Sequence, residues 1–261
     1  MRSVVIISDL QMPFEDRRAL KNVLGFIQEF KPDEVVQIGD LMDFPQPSRW
    51  SKDTRAEFEG SVFKDAEYGI KNFVKPLRDV YAGSVKVIEG NHDSRAREYL
   101  EKYAPALAES RAFHLETLLR LDEYEIEVIR GFYDIAPDWV VTHGHLGLPL
   151  SQLAGRSAMR AANKIGKSVI QGHTHRLGLS AETYGYEGKT YTRWGVEVGH
   201  LMDIRKATYL KSGSANWQQG FAIIHIEGSR VYPELIPVQK DGSFMASGKM
   251  YGGKGSKGNQ K

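Results

Sequence analysis

Short apolar runs recur along this chain, and most of them end on a glycine or a polar residue. Val4-Val5-Ile6-Ile7-Ser8 predicts a buried strand. Leu20, Val23, Leu24 and Ile27 come next at helical spacing and predict an amphipathic helix over about 17–30, closed by Pro32. Val35-Val36-Gln37-Ile38 predicts a second strand, and the stretch 44–56, with two prolines and no period, predicts a loop. Phe58, Val62, Phe63, Ile70, Phe73 and Leu77 predict a long helix over about 57–80, broken near Gly69. Val85-Lys86-Val87-Ile88 is a third strand. Residues 95–121 read as helical with an interruption at Pro105, and Glu125 to Ile129 alternates as a strand does. Trp139-Val140-Val141-Thr142 and Ser168-Val169-Ile170-Gln171 are further strands. Between them, Ala154, Ala158, Ala161 and Ile165 mark one face of a helix over about 151–166. The pattern then turns to β at about 189–194, 207–211, 221–226 and 231–238, and no internal repeat is visible.

Alternating strands and helices in the first half imply a mostly parallel sheet with crossover helices. The strand-rich second half implies a further sheet packed on the first. The expected class is α/β (α+β), with two packed mixed sheets in a sandwich flanked by helices. From Lys240 to Lys261 the chain is rich in Gly and Lys, with little apolar content after Tyr251. The expected organisation is therefore one domain over 1–239 and a flexible tail over 240–261.

Composition removes several function classes. With no cysteine among 261 residues, disulfides, thiolate zinc sites and iron–sulfur clusters are excluded. Any metal must be held by oxygen and nitrogen. A hydrophobic content of 41% and a charged content of 26% are ordinary for a globular chain, and a net charge of +2 gives no basis for a general nucleic-acid or membrane surface. The first apolar run is too short for a signal peptide or a membrane span, so the expected location is cytoplasmic.

The polar residues that close the apolar runs carry the chemistry. The motifs are Asp9-Leu10-Gln11, Gly39-Asp40, Gly90-Asn91-His92-Asp93, His143-Gly144-His145 and Gly172-His173-Thr174-His175. In open α/β sheets, ligands bind beyond the carboxyl ends of strands, and all five motifs fall there. Carboxylate, amide oxygen and imidazole are donors for divalent cations. Two such ions about 3.5–4 Å apart can clamp a phosphoryl group and make hydroxide available near neutral pH. Asp40 is the natural bridging carboxylate, and Asp9 is a second. Asn91 can give an amide oxygen, and His143, His173 and His175 imidazoles; His173 and His175 can each serve a different ion. Two divalent ions, two carboxylates and one hydroxide leave a cluster of about +1, a sign that attracts phosphate esters. His92, beside Asn91, is placed to protonate a leaving alkoxide, and Asp93 to orient its ring. Any one of these residues alone reads as structural; the ordered set does not.

That set resembles the calcineurin-like metallophosphoesterase superfamily, whose pattern is D-x-H, G-D, G-N-H-D/E, H-G-H and G-H-x-H. The resemblance spans residues 9–175, and Gly213-Ser214 is similar to a small-residue motif late in many members. In overall style the chain is similar to phosphoesterases encoded by bacteriophages, which would put it in the host cytoplasm. The resemblance implies a metal-dependent phosphoric ester hydrolase. Asp9, residue 11, Asp40 and His175 would surround the first metal; Asp40, Asn91, His143 and His173 the second; His92 would be the proton donor, with His145 nearby but not a ligand. The departure is Gln11, where the family has histidine. A glutamine oxygen keeps the cluster charge but is a harder donor, which favours Mn²⁺ or Mg²⁺ over softer ions; Fe, Zn, Ni and Co are the other candidates. Alternatively a water takes its place. Asp43 either supports the cluster by hydrogen bonding or caps a turn. Phe44 stands where the protein Ser/Thr phosphatase branch has an arginine.

Three residues bear on substrate. Arg49 and Trp50 suit a nucleotide, the ring for a base and the guanidinium for phosphate, unless Trp50 is a buried loop anchor. Arg95 is a second cation for a phosphate oxygen. Arg156, Arg160, Lys164 and Lys167 share one helical side, either as a nucleic-acid stripe or as a solvated face. The leading expectation is a phosphodiesterase for small diesters, nucleotides first. The alternatives are a DNA or RNA nuclease, a phosphomonoesterase, and a non-catalytic interaction module on the same fold.

Overall fold

In the computed structural model, which describes residues 1–207 and 214–253, the chain begins with β1 (Arg2–Ile7), α1 (Arg17–Phe30) and β2 (Glu34–Gln37). Helix α1 starts where the Asp16 carboxylate accepts from the amides of Arg18 and Ala19, and it stops at Lys31 in the left-handed region. Short α2 (Arg55–Phe58) precedes α3 (Val62–Gly69), a π-turn over Ile70–Val74 and α4 (Lys75–Val80). The helix expected over 57–80 thus starts later and continues past Gly69. The π-turn absorbs the shift in apolar phase between Val62 and Phe73 instead of breaking the helix.

Strand β3 (Ser84–Ile88) is followed by α5 (Arg95–Tyr103), a 3-10 turn over Pro105–Ser110, α6 (Leu115–Leu118) and β4 (Ile126–Ile129). Next come β5 (Phe132–Ala136), β6 (Trp139–Thr142), α7 (Arg156–Ile165), β7 (Ser168–Gln171), β8 (Leu177–Tyr186) and β9 (Lys189–Val198). The chain ends with β10 (Gly220–Glu227), β11 (Arg230–Pro237), β12 (Phe244–Ala246) and β13 (Lys249–Tyr251). Most of the strand expected over 207–211 lies outside the described residues.

Among the described residues, one sheet has the order β11-β10-β1-β2-β3-β4 and the other β5-β6-β7-β9-β8. Strands β1 to β4 run parallel, as do β6, β7 and β9; β10 joins β1 antiparallel. The two-sheet expectation holds, but β10 and β11 return to the first sheet instead of extending the second. Val4, Ile6, Val36 and Ile38 of one sheet meet Val141, Ile170, Val196 and Val198 of the other in a dry middle layer. The opposite face of the first sheet is covered by α1 and the helical run 62–80 through Leu20, Phe26, Phe73 and Leu77. Helix α7 covers the second sheet through Met159, Ala161 and Ala162. This leaves the carboxyl ends of β1, β2, β3, β6, β7 and β9 free to carry the motifs.

The expected flexible tail is corrected in part. Strands β12 and β13 pair as a hairpin, and Phe244, 1% exposed, packs on Phe26, Phe221 and Tyr251. Residues 240–253 therefore belong to the folded body, while 254–261 lie outside the described residues. Phe244→Ala is expected to cost about 3–5 kcal/mol of stability in a urea titration, as for other buried aromatic truncations. A loss below about 1 kcal/mol would mean that the hairpin does not share the core.

Candidate metal centre

Two sheets deliver the polar motifs to one place. Asp9 follows β1, Asp40 follows β2 and Asn91 follows β3; His143 follows β6, and His173 and His175 follow β7. Ligand atoms of Asp40, His143 and His173 lie within 4.8 Å of one another. His143 Nε2 stands 3.2 Å from Asp40 Oδ1 and 3.2 Å from Asn91 Oδ1. Its other nitrogen is 2.9 Å from the Ile38 carbonyl, so Nδ1 donates there and Nε2 is the nitrogen turned to the cluster. On the adjacent side, His175 Nε2 is 3.1 Å from Asp9 Oδ1 and 3.3 Å from Gln11 Nε2. A turn of the Gln11 amide would bring its oxygen to the same point. All seven expected donors are therefore brought together.

Close packing and unusual backbone make this convergence possible. Asp9, Gln11, Asp40, His173 and His175 have φ values of 50, 47, 52, 66 and 57°. Such conformations cost about 1 kcal/mol or more for residues other than glycine, and they cluster where side chains must be aimed. The glycines between strand and ligand are sterically required. A Cβ on Gly39 would sit 2.4 Å from the His143 ring, and one on Gly172 would sit 2.0 Å from Ser8 Oγ.

The charges show what the arrangement needs. Asp9 and Asp40 are 0% and 1% exposed, and among the described residues neither pairs with lysine or arginine. One oxygen of each is tied to backbone: Asp9 Oδ2 accepts from the His173 amide at 3.0 Å and Asp40 Oδ1 from the His92 amide at 2.9 Å. Asp9 Oδ1 is buried and takes no hydrogen bond of normal geometry. Burial pushes the Asp40 carboxyl up, but the charges of His143 and His92 hold it well below the usual range. Burial likewise opposes a proton on His143, yet Asp40 and Asp9 raise it to about 9. His173 goes the other way: burial and His143 lower it, which disfavours a proton on its ring. Two buried carboxylates ringed by imidazole and amide, with no thiol, fit oxygen-preferring divalent cations.

Asp93 does not do what its position suggested. Its carboxylate accepts from the backbone amides of Met42 and Gly90 at 2.8 Å, bracing the loops after β2 and β3, and burial beside Asp40 raises it to about 7. The carboxylate on the His92 ring is Asp43, with Oδ1 2.7 Å from Nδ1. The expectation that Asp93 orients the His92 ring is thus corrected: the next residue in sequence points away, while Asp43 from the preceding loop points in. Arg95 reaches the same spot, NH1 donating to the Asp43 carbonyl at 2.7 Å and NH2 lying 3.0 Å from His92 Nε2. It supplies a cation close to the one missing after Asp43.

Sequence reasoning missed His200. It follows Gly199 at the end of β9, as His173 follows Gly172 after β7, so the signal was present but lay beyond the motif series. His200 is 1% exposed, its ring is 5.3 Å from that of His175, and burial with His175 lowers it to about 3. Trp217 places its ring edge-on, 4.3 Å from His175. Of the motif Gly213-Ser214, Gly213 lies outside the described residues.

Arg49, Trp50 and Arg95 line an open cleft of about 660 Å³ whose floor includes Asn91, His92, His145 and His173. Trp50 is 76% exposed, which overturns the buried-anchor reading. The cations near α7 do not form a free stripe. Arg156 pairs with Glu182 and Lys167 with Asp134, while Arg160 and Lys164 donate to the Leu150 and Gly147 carbonyls.

The family model for calcineurin-like phosphoesterases matches residues 2–177. The Gene 54 proteins of Mycobacterium phages L5 and D29 are each 46% identical over 252 residues, covering 96% of this chain and 98% of theirs. Among solved structures, the phosphoesterase YfcE from E. coli is 14% identical with a TM-score of 0.44, covering 94% of this chain and 97% of that one.

A cation that takes His143 Nε2 must displace the proton this imidazole keeps up to about pH 9 in the metal-free chain. Mn²⁺ affinity is therefore expected to rise with pH, by up to about ten-fold per unit from roughly pH 6 to 8, and to level off above the His143 pKa. Calorimetry in buffers of different ionisation heat should show proton release on binding. Affinity independent of pH across that window would contradict displacement at His143.

Proposed function

The chain belongs to the calcineurin-like phosphoesterase family, and from that premise we propose that it is a metal-dependent phosphodiesterase acting on small diesters of the nucleotide class. The observation that carries this reading is the pair of buried carboxylates, Asp9 and Asp40, with no lysine or arginine partner among the described residues. Asp9, Gln11, Asp40 and His175 would hold one divalent ion; Asp40, Asn91, His143 and His173 would hold the other, with Asp40 shared. Mn²⁺ is the first choice for a set that mixes carboxylate, amide and imidazole. Two such ions, when bound, lower the pKa of a water and polarise phosphoryl oxygens.

The remaining steps belong to side chains. Asp43 fixes the His92 ring through Nδ1, so that Nε2 faces the cleft, 3.7 Å from Asp40 Oδ2. Burial disfavours a charged His92, but Asp40 and Asp43 overcome it and raise its pKa. His92 gives the Nε2 proton to the leaving oxygen of the ester. Arg95 approaches Nε2 at 3.0 Å, which requires that nitrogen to accept while Arg95 stays there. When the guanidinium pairs with a phosphate oxygen it frees Nε2 to hold the proton, which couples substrate binding to readiness of the acid. Arg49 and Trp50 flank the cleft and supply phosphate pairing and a stacking face.

With Mn²⁺ present, the chain is expected to hydrolyse bis(p-nitrophenyl) phosphate faster than p-nitrophenyl phosphate, and EDTA should abolish both. No turnover with Mn²⁺, Mg²⁺ or Zn²⁺ would defeat the enzymatic reading, and a preference for the monoester would make it a phosphomonoesterase. For His92→Ala, turnover on alkyl or nucleoside diesters should fall by about 10²–10⁴, more than on the nitrophenyl ester, whose leaving group needs no proton. Equal losses on both substrates would remove His92 from the acid role.

A further inference from the structure

Beyond Arg49 and Trp50, the cleft has a wall that the diesterase reading leaves without a task. Trp50 is 76% exposed, and on α5 Tyr103 is 47% exposed and packs at 4.7 Å on Tyr99. Each ring group carries its own cations. The Arg49 guanidinium lies 4.7 Å from the Trp50 ring; Lys52 Nζ lies 4.5 Å from Tyr103 and 5.5 Å from Tyr99; Lys102 Nζ lies 5.1 Å from Tyr103. Together with Arg95, four cations line a cleft whose wall carries one carboxylate, Glu98, although Lys52 is itself paired with Glu57 at 3.2 Å. The chain as a whole is nearly neutral, at +2, so this is a local concentration. Exposed aromatic faces interleaved with lysine and arginine, in a groove open to solvent, are how proteins hold unpaired bases and the phosphates between them. Two ring groups on separate elements, the loop after β2 and helix α5, offer a stacking face each, where one nucleotide has a single base. In a duplex the neighbouring base pairs stack over the faces that such rings need, which favours a single strand.

We propose that the cleft binds single-stranded nucleic acid, stacking bases on Trp50 and on the Tyr99–Tyr103 pair while Arg49 and Lys102 follow the phosphates past His92. This deepens the diesterase reading and rests on it for the role of the cleft floor. The scissile bond is then an internucleotide phosphodiester, with water adding to phosphorus and the proton on His92 going to the departing sugar oxygen.

Binding is separable from turnover. The full chain in EDTA is titrated, by fluorescence anisotropy, into labelled single strands of about ten nucleotides, one DNA and one RNA of the same mixed sequence, and into a DNA duplex. At least one single strand is expected to bind with an affinity that falls as salt rises, and more tightly than the duplex. The double variant Trp50→Ala, Tyr103→Ala removes two exposed rings and should weaken binding by about ten-fold or more. Lys102→Glu, at an exposed position, should flatten the salt dependence by about one phosphate contact. Absence of binding at low salt, a duplex bound as tightly as either strand, or a double variant within about three-fold of the parent would each overturn the proposal. The DNA and RNA arms identify the sugar. Mn²⁺-dependent hydrolysis of bis(p-nitrophenyl) phosphate by the unaltered chain is read in parallel. If it persists while the strands fail to bind, only the wall is misassigned; if strands bind without it, the diesterase reading fails instead.

Discussion

Two buried carboxylates that, among the described residues, have no lysine or arginine partner set the terms for everything around them. Asp9 and Asp40 sit at the ends of neighbouring parallel strands, and each spends one oxygen on the backbone of another motif. The Asp9 bond crosses from the first sheet to the second, and the bond from His143 Nδ1 to the Ile38 carbonyl crosses back. Asp93 adds a third tie, between the loops after β2 and β3. The sandwich is therefore laced by polar contacts at the same end where its apolar middle layer stops. A buried carboxylate with unspent acceptor capacity costs several kcal/mol in a medium of low polarity. In the metal-free chain protonated imidazole offsets part of that cost, which is why His143 holds its proton so strongly. A cation offsets it more completely, so the folding of this end and the proposed loading with metal are one problem.

The backbone carries the same signature. Five of the seven proposed donors have positive φ, although none is glycine. Glycine would adopt those angles without strain, but it has no side chain to offer a ligand. Before two of them, Asp40 and His173, the chain places glycine one position earlier, where Gly39 and Gly172 let the turn pass against His143 and Ser8. The pattern read along the sequence, a strand followed by glycine and then a donor, is the trace of that division of labour: the strand fixes direction, the glycine allows contact, and the strained residue aims.

This explains which parts were legible. Strands β1, β2, β3, β6 and β7 end in strong apolar runs and announced both themselves and their motifs, so the donor set could be read before any geometry was known. Legibility failed where distance along the chain misleads. Asp93 adjoins His92, yet the turn that lets Asn91 and His92 face the cleft rotates Asp93 inward, and Asp43 arrives through space. His200 had the right local signal on β9 but no second motif beside it. Strand β8, at an edge with alternating half-exposed residues, lacked an apolar run. The terminal hairpin was hidden by its Gly and Lys content, because only a few apolar side chains, Phe244, Ala246 and Tyr251, attach it to the core. Short elements held by a few side chains leave almost no periodic trace.

Gln11 looks different once its neighbours are known. Read alone, it suggested a harder donor or a position left to water. In the structure its amide lies against His175, which is itself enclosed by His200 and the edge of Trp217. His200, uncharged because of its burial, adds no proton that would compete with a cation there. Gln11, 2% exposed, therefore sits in a closely packed shell, and a harder donor so enclosed would lose less than a mobile one, because its ordering is already in the fold. The two halves of the proposed centre differ accordingly. One is defined by its own tightly grouped donors, Asp40, His143 and His173, and the other by the packing that surrounds a less favourable set.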